Sequence, residues 1–182
     1  MTSYVALLRG INVGGKSLIK MADLKACFES LGLDDVRTYI ASGNVLFQSP
    51  EKDAAKLSSK IEKALGKTFG YKTWVMVKSH EQLRAIVQEA PKGFGTKPAE
   101  YYSDVLFLQH PLTVAEAMKV VELREGVDQV FQGKTVLYFS RLSARRVQSK
   151  LSKIISTPAY KNMTIRSWNT TAKLLGLLEE KL

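Results

Sequence analysis

Gly43-Asn44-Val45-Leu46-Phe47-Gln48-Ser49 and Gly133-Lys134-Thr135-Val136-Leu137-Tyr138-Phe139-Ser140 are two versions of one passage. Each opens on a turn glycine, continues as a run of β-branched, aliphatic and aromatic residues, and leads into helical spacing. The surroundings match as well. Before the first passage, Tyr4 to Arg9 reads as a buried strand, and Met21, Leu24, Cys27, Phe28 and Leu31 recur at three- and four-residue spacing as an amphipathic helix. Val36–Ile40 and Val45–Phe47 flank Ala41-Ser42-Gly43-Asn44, a hairpin signal. After it, Ser49-Pro50 reads as an N-cap followed by a first-turn proline, with Leu57, Ile61, Ala64 and Leu65 on the apolar stripe. A strand at 73–77 and a capping box, Ser79-His80-Glu81-Gln82, complete the half.

The second half repeats the order. Val105–Leu108 is a strand, Thr113-Val114-Ala115-Glu116 a capping box, and Val127–Phe131 with Thr135–Phe139 a hairpin around Gln132-Gly133-Lys134. A helix from Ser143, a strand at 163–168 and a last helix carrying Leu174, Leu175, Leu177 and Leu178 follow. The expected fold is therefore α+β: a tandem duplication of a ferredoxin-like βαββαβ unit, each with an extra C-terminal helix. Right-handed crossovers put both connecting helices on one face of each sheet. Ala90 to Ala99, with two prolines and two glycines and no periodicity, reads as a linker. The expected division is 1–90 and 101–182, joined through 91–100.

Composition excludes several classes. A chain of 182 residues with 45% hydrophobic and 24% charged residues is an ordinary globular protein, not a disordered one. No window reaches the roughly 18–20 apolar residues of a membrane span, so no membrane partner is expected. The start reads as a strand rather than a signal peptide. Cys27 is the one cysteine, which excludes an internal disulfide and fits a reducing, cytoplasmic setting. The formal charge of +10 is spread over both halves, so polyanions are attracted at long range without a basic tail.

Gly10-Ile11-Asn12-Val13-Gly14-Gly15-Lys16-Ser17 matches G-x-x-x-x-G-K-[ST] formally. An NTPase also needs an apolar strand ending in Asp, whereas Val105–Leu108 runs into Gln109 and Val75–Val77 into Lys78. The duplicated hairpins predict antiparallel pairing, and helical spacing becomes clear only near Met21. The loop therefore reads as an anion-binding candidate rather than an NTPase site. Arg9, Gly10, Asn12, Gly14, Gly15 and Lys16 are its candidate ligand-binding residues, with Arg166 closing the site from the second half. A tight turn uses the same residue types.

A second candidate is the helix from Ser143. At 100° per residue, Arg145, Arg146, Lys150 and Lys153 share one side and Val147, Leu151, Ile154 and Ile155 the other. With Arg141, that side could meet a phosphate backbone, or be a solvated face. A paired RNA-recognition module is disfavoured, because its K/R-G-F/Y-G/A-F-V-x-F/Y strand is missing. His80 and His110 are the only histidines and no Cys/His spacing suits a metal, so neither metal nor cofactor is expected. Trp74 and Trp168 occupy matching places at the fourth strand of each repeat, which reads as packing.

Leu8-Arg9-Gly10-Ile11-Asn12-Val13-Gly14-Gly15-Lys16, Met21, Leu24 and Val36-Arg37-Thr38-Tyr39-Ile40-Ala41-Ser42-Gly43-Asn44-Val45 closely resemble the start of the bacterial domain of unknown function 1697 family. Thr164-Ile165-Arg166-Ser167-Trp168-Asn169-Thr170 with Lys173-Leu174 is similar to its second signature, which usually has asparagine at the place of Ser167. The family often has asparagine where this chain has Ser17. The resemblance implies a duplicated ferredoxin-like protein of the bacterial cytoplasm and carries no established activity. The leading expectation is a cytoplasmic protein, monomeric or weakly dimeric, that binds a phosphorylated metabolite, nucleotide or nucleic acid at the glycine-rich loop. The alternatives are an enzyme of unknown reaction using that loop, and a module that pairs through a sheet edge.

Overall fold

The computed structural model describes residues 1–180. They divide into two compact units: Met1–Leu83 together with the residues from Leu174, and Arg84–Lys173.

The first unit runs β1 (Thr2–Arg9), α1 (Met21–Glu29), β2 (Asp34–Tyr39), β3 (Asn44–Ser49), α2 (Ala54–Phe69) and β4 (Trp74–Ser79). Its sheet has the order β2-β3-β1-β4, with antiparallel neighbours throughout. Both crossover helices pack on one face. Leu24, Cys27 and Phe28 of α1 and Leu57, Ile61 and Leu65 of α2 meet Ala6, Leu8, Val45, Phe47, Val75 and Val77 in one core. Tyr4 and Phe47 stack there with ring centroids 5.5 Å apart. Fully burying each such side chain contributes about 1.5–3 kcal/mol, so this layer is a main source of the unit's stability.

Helix α2 starts later than Ser49-Pro50 suggested. Ser49 is the last residue of β3, paired with Thr2. The cap is Asp53, whose Oδ1 accepts from the N–H groups of Ala55 and Lys56 at 2.9 and 3.1 Å. The helix ends at Gly70, left-handed at φ 78°. The Ser79/Gln82 capping box forms as expected. Gln82 Oε1 accepts from Ser79 N at 3.0 Å, and Ser79 Oγ from Gln82 N at 3.2 Å.

The second unit runs β5 (Tyr101–Leu108), α4 (Val114–Val120), β6 (Asp128–Gln132), β7 (Val136–Leu142) and β8 (Met163–Ser167), with sheet order β6-β7-β5-β8. Leu106, Leu108, Leu137 and Phe139 pack on Ala117, Leu151, Ile154 and Met163. The capping box of α4 is present, with Glu116 on Thr113. Its two hydrogen bonds from Thr113 hold the Glu116 carboxyl below the ordinary range.

The second crossover is not the amphipathic helix expected from Ser143. It is three short 3-10 turns, at Ser143–Gln148, Leu151–Ser156 and Pro158–Asn162. An α-helix would bond the Lys150 N–H to the Arg146 carbonyl. Here Asp128 Oδ2 takes that N–H at 2.9 Å and also takes Arg124 N at 2.9 Å. Val147 is consequently 89% exposed, and Ile155 55%, where a helical stripe would have buried them.

Two helices follow the sheets: α3 (His80–Gln88) after β4 and α5 (Trp168–Glu179) after β8. Each is shared between the units, α3 dividing after Leu83 and α5 after Lys173. The C-terminal part of α5 belongs to the first unit, where the Leu177 carbonyl accepts from Arg37 Nη2 at 3.0 Å. Within the second unit, Phe94 of the proline- and glycine-rich segment is buried, edge-on to Tyr138 and Trp168 at 5.4 and 5.2 Å.

Candidate functional site

The glycine-rich stretch of the first unit is a small hairpin. Lys16 N donates to the Val13 carbonyl at 3.1 Å and Asn12 N to the Ser17 carbonyl at 3.0 Å, so Val13 and Lys16 form a bridge around Gly14-Gly15. Both glycines have positive φ, 58° and 72°. Two-residue hairpin turns with φ > 0 at both positions match the twist of their strands, and Gly-Gly suits them. The glycines thus serve a turn. Lys16 and Ser17 lie ahead of α1 rather than in its first turn, because α1 starts at Met21. A phosphate-cradling loop would put them at the helix start.

Asn12 fixes the hairpin rather than offering its amide to a ligand. Its Nδ2 donates to the carbonyls of Ile19 and Ala41 at 3.2 and 2.9 Å, and its Oδ1 accepts from Ile19 N at 2.8 Å. Its φ is 51°, a conformation asparagine tolerates better than most residues. Tyr71 Oη donates to the Ser17 carbonyl at 3.0 Å and ties the hairpin to the chain entering β4.

That junction puts charge beside an indole. Arg9, the last residue of β1, is paired in register with Trp74, the first of β4. The Arg9 guanidinium lies 4.9 Å from the Trp74 ring centroid, and the Lys72 ammonium 5.0 Å. Trp74 is 39% exposed. It opens β4, whereas Trp168 follows the end of β8 and packs on Phe94. The two tryptophans are therefore not equivalent, and only Trp168 is a packing residue. Among the described residues, neither Lys16 nor Lys72 has a carboxylate within ion-pair distance. The sequence does not single out Lys72, and it reads Trp74 as a packing residue. The signal available was their place one strand from Arg9.

Arg166 belongs to the second unit. Its Nη1 donates to the Ile165 carbonyl at 3.0 Å, and burial pulls its pKa down to about 10 against the opposing influence of Tyr160.

The basic residues from 141 to 153 have separate attachments. Arg141 pairs with buried Asp104 at 3.3 Å. Arg146 Nη1 donates to Tyr102 Oη at 2.7 Å, and Arg145 Nη2 to Gln148 Oε1 at 2.9 Å. Lys150 and Lys153 both hold Glu122, at 3.4 and 2.9 Å, and their hydrogen bonds depress its pKa. Among the described residues, no group of three or more His, Cys, Asp or Glu could hold a metal ion. Cys27 is buried, its Sγ 3.7 Å from Thr68 Oγ1. Among the described residues, no helix is long and apolar enough to cross a membrane.

The family described as "Protein of unknown function (DUF1697)" matches residues 1–138. A solved structure of a conserved bacterial protein, SP0830 from Streptococcus pneumoniae, is similar to this chain at 29% identity. The likeness has a TM-score of 0.83 and covers 97% of this chain and 98% of that one. No curated protein matches.

Proposed function

We propose, for a chain that belongs to the DUF1697 family, that the corner around Arg9, Lys16, Lys72 and Trp74 binds a small anionic ligand, a phosphorylated metabolite or a nucleotide. One observation carries this reading. Lys72 has no carboxylate partner among the described residues and lies with Arg9 against a partly exposed indole, and Lys16, also without one, is carried by the hairpin that Tyr71 ties to the same junction. Cations clustered at a surface raise the local concentration of anions. The ligand groups are side chains, since the glycines are engaged in a turn and Asn12 in bracing it.

The function is binding. The side chains at the corner are cations, an amide and an indole, which position charge and supply no general base at neutral pH. Pairing through a sheet edge is the weaker alternative. The edge strands β2, β4, β6 and β8 are only 5–6 residues long. Charges also sit on them, at Asp34, Asp35, Arg37, Lys78 and Asp128. Short, charged edges discourage strand addition.

Thermal unfolding in the presence of phosphate, pyrophosphate and nucleotides, at constant ionic strength, tests the reading. A ligand at a hundredfold excess over its dissociation constant stabilises the native state by about 2.7 kcal/mol. The stabilisation is expected in the wild type and lost in a Lys16→Ala/Lys72→Ala double variant. No shift for any anion beyond a chloride control rejects it.

A further inference from the structure

The second unit has a cleft of its own, on the face of its sheet turned away from α4 and the 3-10 turns. Those elements pack on Leu106, Leu137 and Phe139. Side chains alternate between faces along a strand, and residues paired across strands share one. Ser103, Ser140 and Gln129 are paired directly across β5, β7 and β6, so they form a polar row on the other face. Tyr101 and Phe131, each two residues along from that row, lie on the same face. Tyr138 does too, opposite Phe131, and Phe94 is buried edge-on against it. The segment 91–97 therefore covers this face. Between segment and sheet lies a cleft of about 270 Å³ whose walls include Lys92, Lys97, Tyr101, Gln129, Phe131 and Ser140.

The fold leaves the polar groups of this cleft unused. Among the described residues, the Tyr101 hydroxyl and the Gln129 amide have no hydrogen-bond partner, and Lys92 has no carboxylate partner. Lys97 has only Glu100 at 3.6 Å, an exposed pair of little strength. No Asp or Glu lines the cleft. Ser140 is only 7% exposed, yet its hydroxyl meets only that of Ser103, at 3.4 Å, longer than such bonds ordinarily run. Buried hydroxyls are normally well paired, and this one borders open space. Phe131 adds a ring that is 39% exposed.

Each group suits a different part of one ligand. An exposed ring packs well on a second planar ring. A carboxamide and hydroxyls both donate and accept, which fits ring nitrogens and ring carbonyls. Two ammonium groups in a cleft without carboxylates favour an anion. We propose that this cleft binds a small heteroaromatic acid, its ring against Phe131 and hydrogen-bonded to Gln129 and Ser140, its acidic group on Lys92 and Lys97. Ligand pockets run upward from about 300 Å³, so this one takes one or two fused rings rather than a long chain.

The test is titration of the full-length, nitrogen-15-labelled protein followed by NMR, reading the side-chain amide of Gln129 and the backbone amides of Gly93 and Gly95. The probes are quinoline-2-carboxylate and adenosine monophosphate, with quinoline-2-carboxamide and adenosine as their uncharged counterparts. At least one acid is expected to shift these resonances saturably, and its uncharged counterpart to bind about tenfold more weakly. The tighter of the two acids tells carboxylate from phosphate. Phe131→Ala should weaken the acid about fivefold. Lys92→Gln should weaken the acid and leave the uncharged counterpart unchanged. Phe131 and Lys92 are exposed, so the rest of the spectrum should stay as in the wild type, which separates binding from folding. The Lys16→Ala/Lys72→Ala variant of the first unit should show the same shifts, which keeps this outcome independent of the small-anion reading. No saturable shift with either acid, equal affinity for acid and uncharged counterpart, or indifference to Phe131→Ala each overturns the proposal.

Discussion

Asn12 Nδ2 donates to the Ala41 carbonyl across 2.9 Å, joining the glycine hairpin to the turn between β2 and β3. The same amide group holds Ile19 from both sides, at 3.2 and 2.8 Å. Asn12→Ala removes three hydrogen bonds and puts alanine at φ 51°. At about 1 kcal/mol per bond, the expected loss is about 2–3 kcal/mol in urea denaturation. A loss below about 0.5 kcal/mol means that water replaces the amide and the brace is dispensable.

Two glycine substitutions separate turn from close contact. Gly14 has positive φ but nothing within 4 Å of an added Cβ, whereas at Gly95 that Cβ meets Trp168 at 2.1 Å. Gly14→Ala should cost only left-handed strain, about 1 kcal/mol, and Gly14→Asn less than that. Gly95→Ala adds overpacking and should cost about 3 kcal/mol or more. Equal losses by chemical denaturation contradict this account.

Asp53 accepts from two N–H groups at the start of α2. Asp53→Ala is expected to destabilise by about 1 kcal/mol, with Asp53→Asn or Asp53→Ser recovering most of it. If Ser49→Ala is the more costly change, the cap has been placed wrongly.

Burial raises the pKa of Asp104, and Arg141 opposes that rise. An acid whose folded pKa lies above its unfolded value loses stability as pH climbs through the folded value. Arg141→Met removes the opposing charge, so the folded pKa rises further. The variant should therefore lose about 2 kcal/mol near pH 7.5, and clearly less near pH 4, where the carboxyl is protonated. Denaturation midpoints at the two pH values decide it, and an equal deficit at both would mean that packing alone is responsible.

The architecture was legible because its signals are local and repeated. Ser79 with Gln82, and Thr113 with Glu116, are fixed-offset pairs whose partners lie three residues away. The segment from Ser143 was not legible for the opposite reason. Leu151 and Ile154 keep helical spacing and are buried, but the group that breaks the helix, Asp128, is 22 residues from Lys150. At the proposed corner, Arg9 and Lys16 could be read from the chain. Lys72 and Trp74 could not, because only the β1–β4 register sets Trp74 opposite Arg9. The glycines were recognised as special, but the residue types alone do not distinguish a hairpin tip from an anion nest.

Because the C-terminal part of α5 belongs to the first unit, that unit cannot be completed until the whole of the second unit has been synthesised. Leu174, Leu175 and Leu178 are buried residues that follow the second unit in the chain. Domains commonly fold in order as they are synthesised. Here the N-terminal sheet must emerge and wait for these residues while the whole of the second unit is made. A nascent chain stalled after residue 100 should stay protease-sensitive throughout its first 83 residues. Release of the full-length chain should protect both units together.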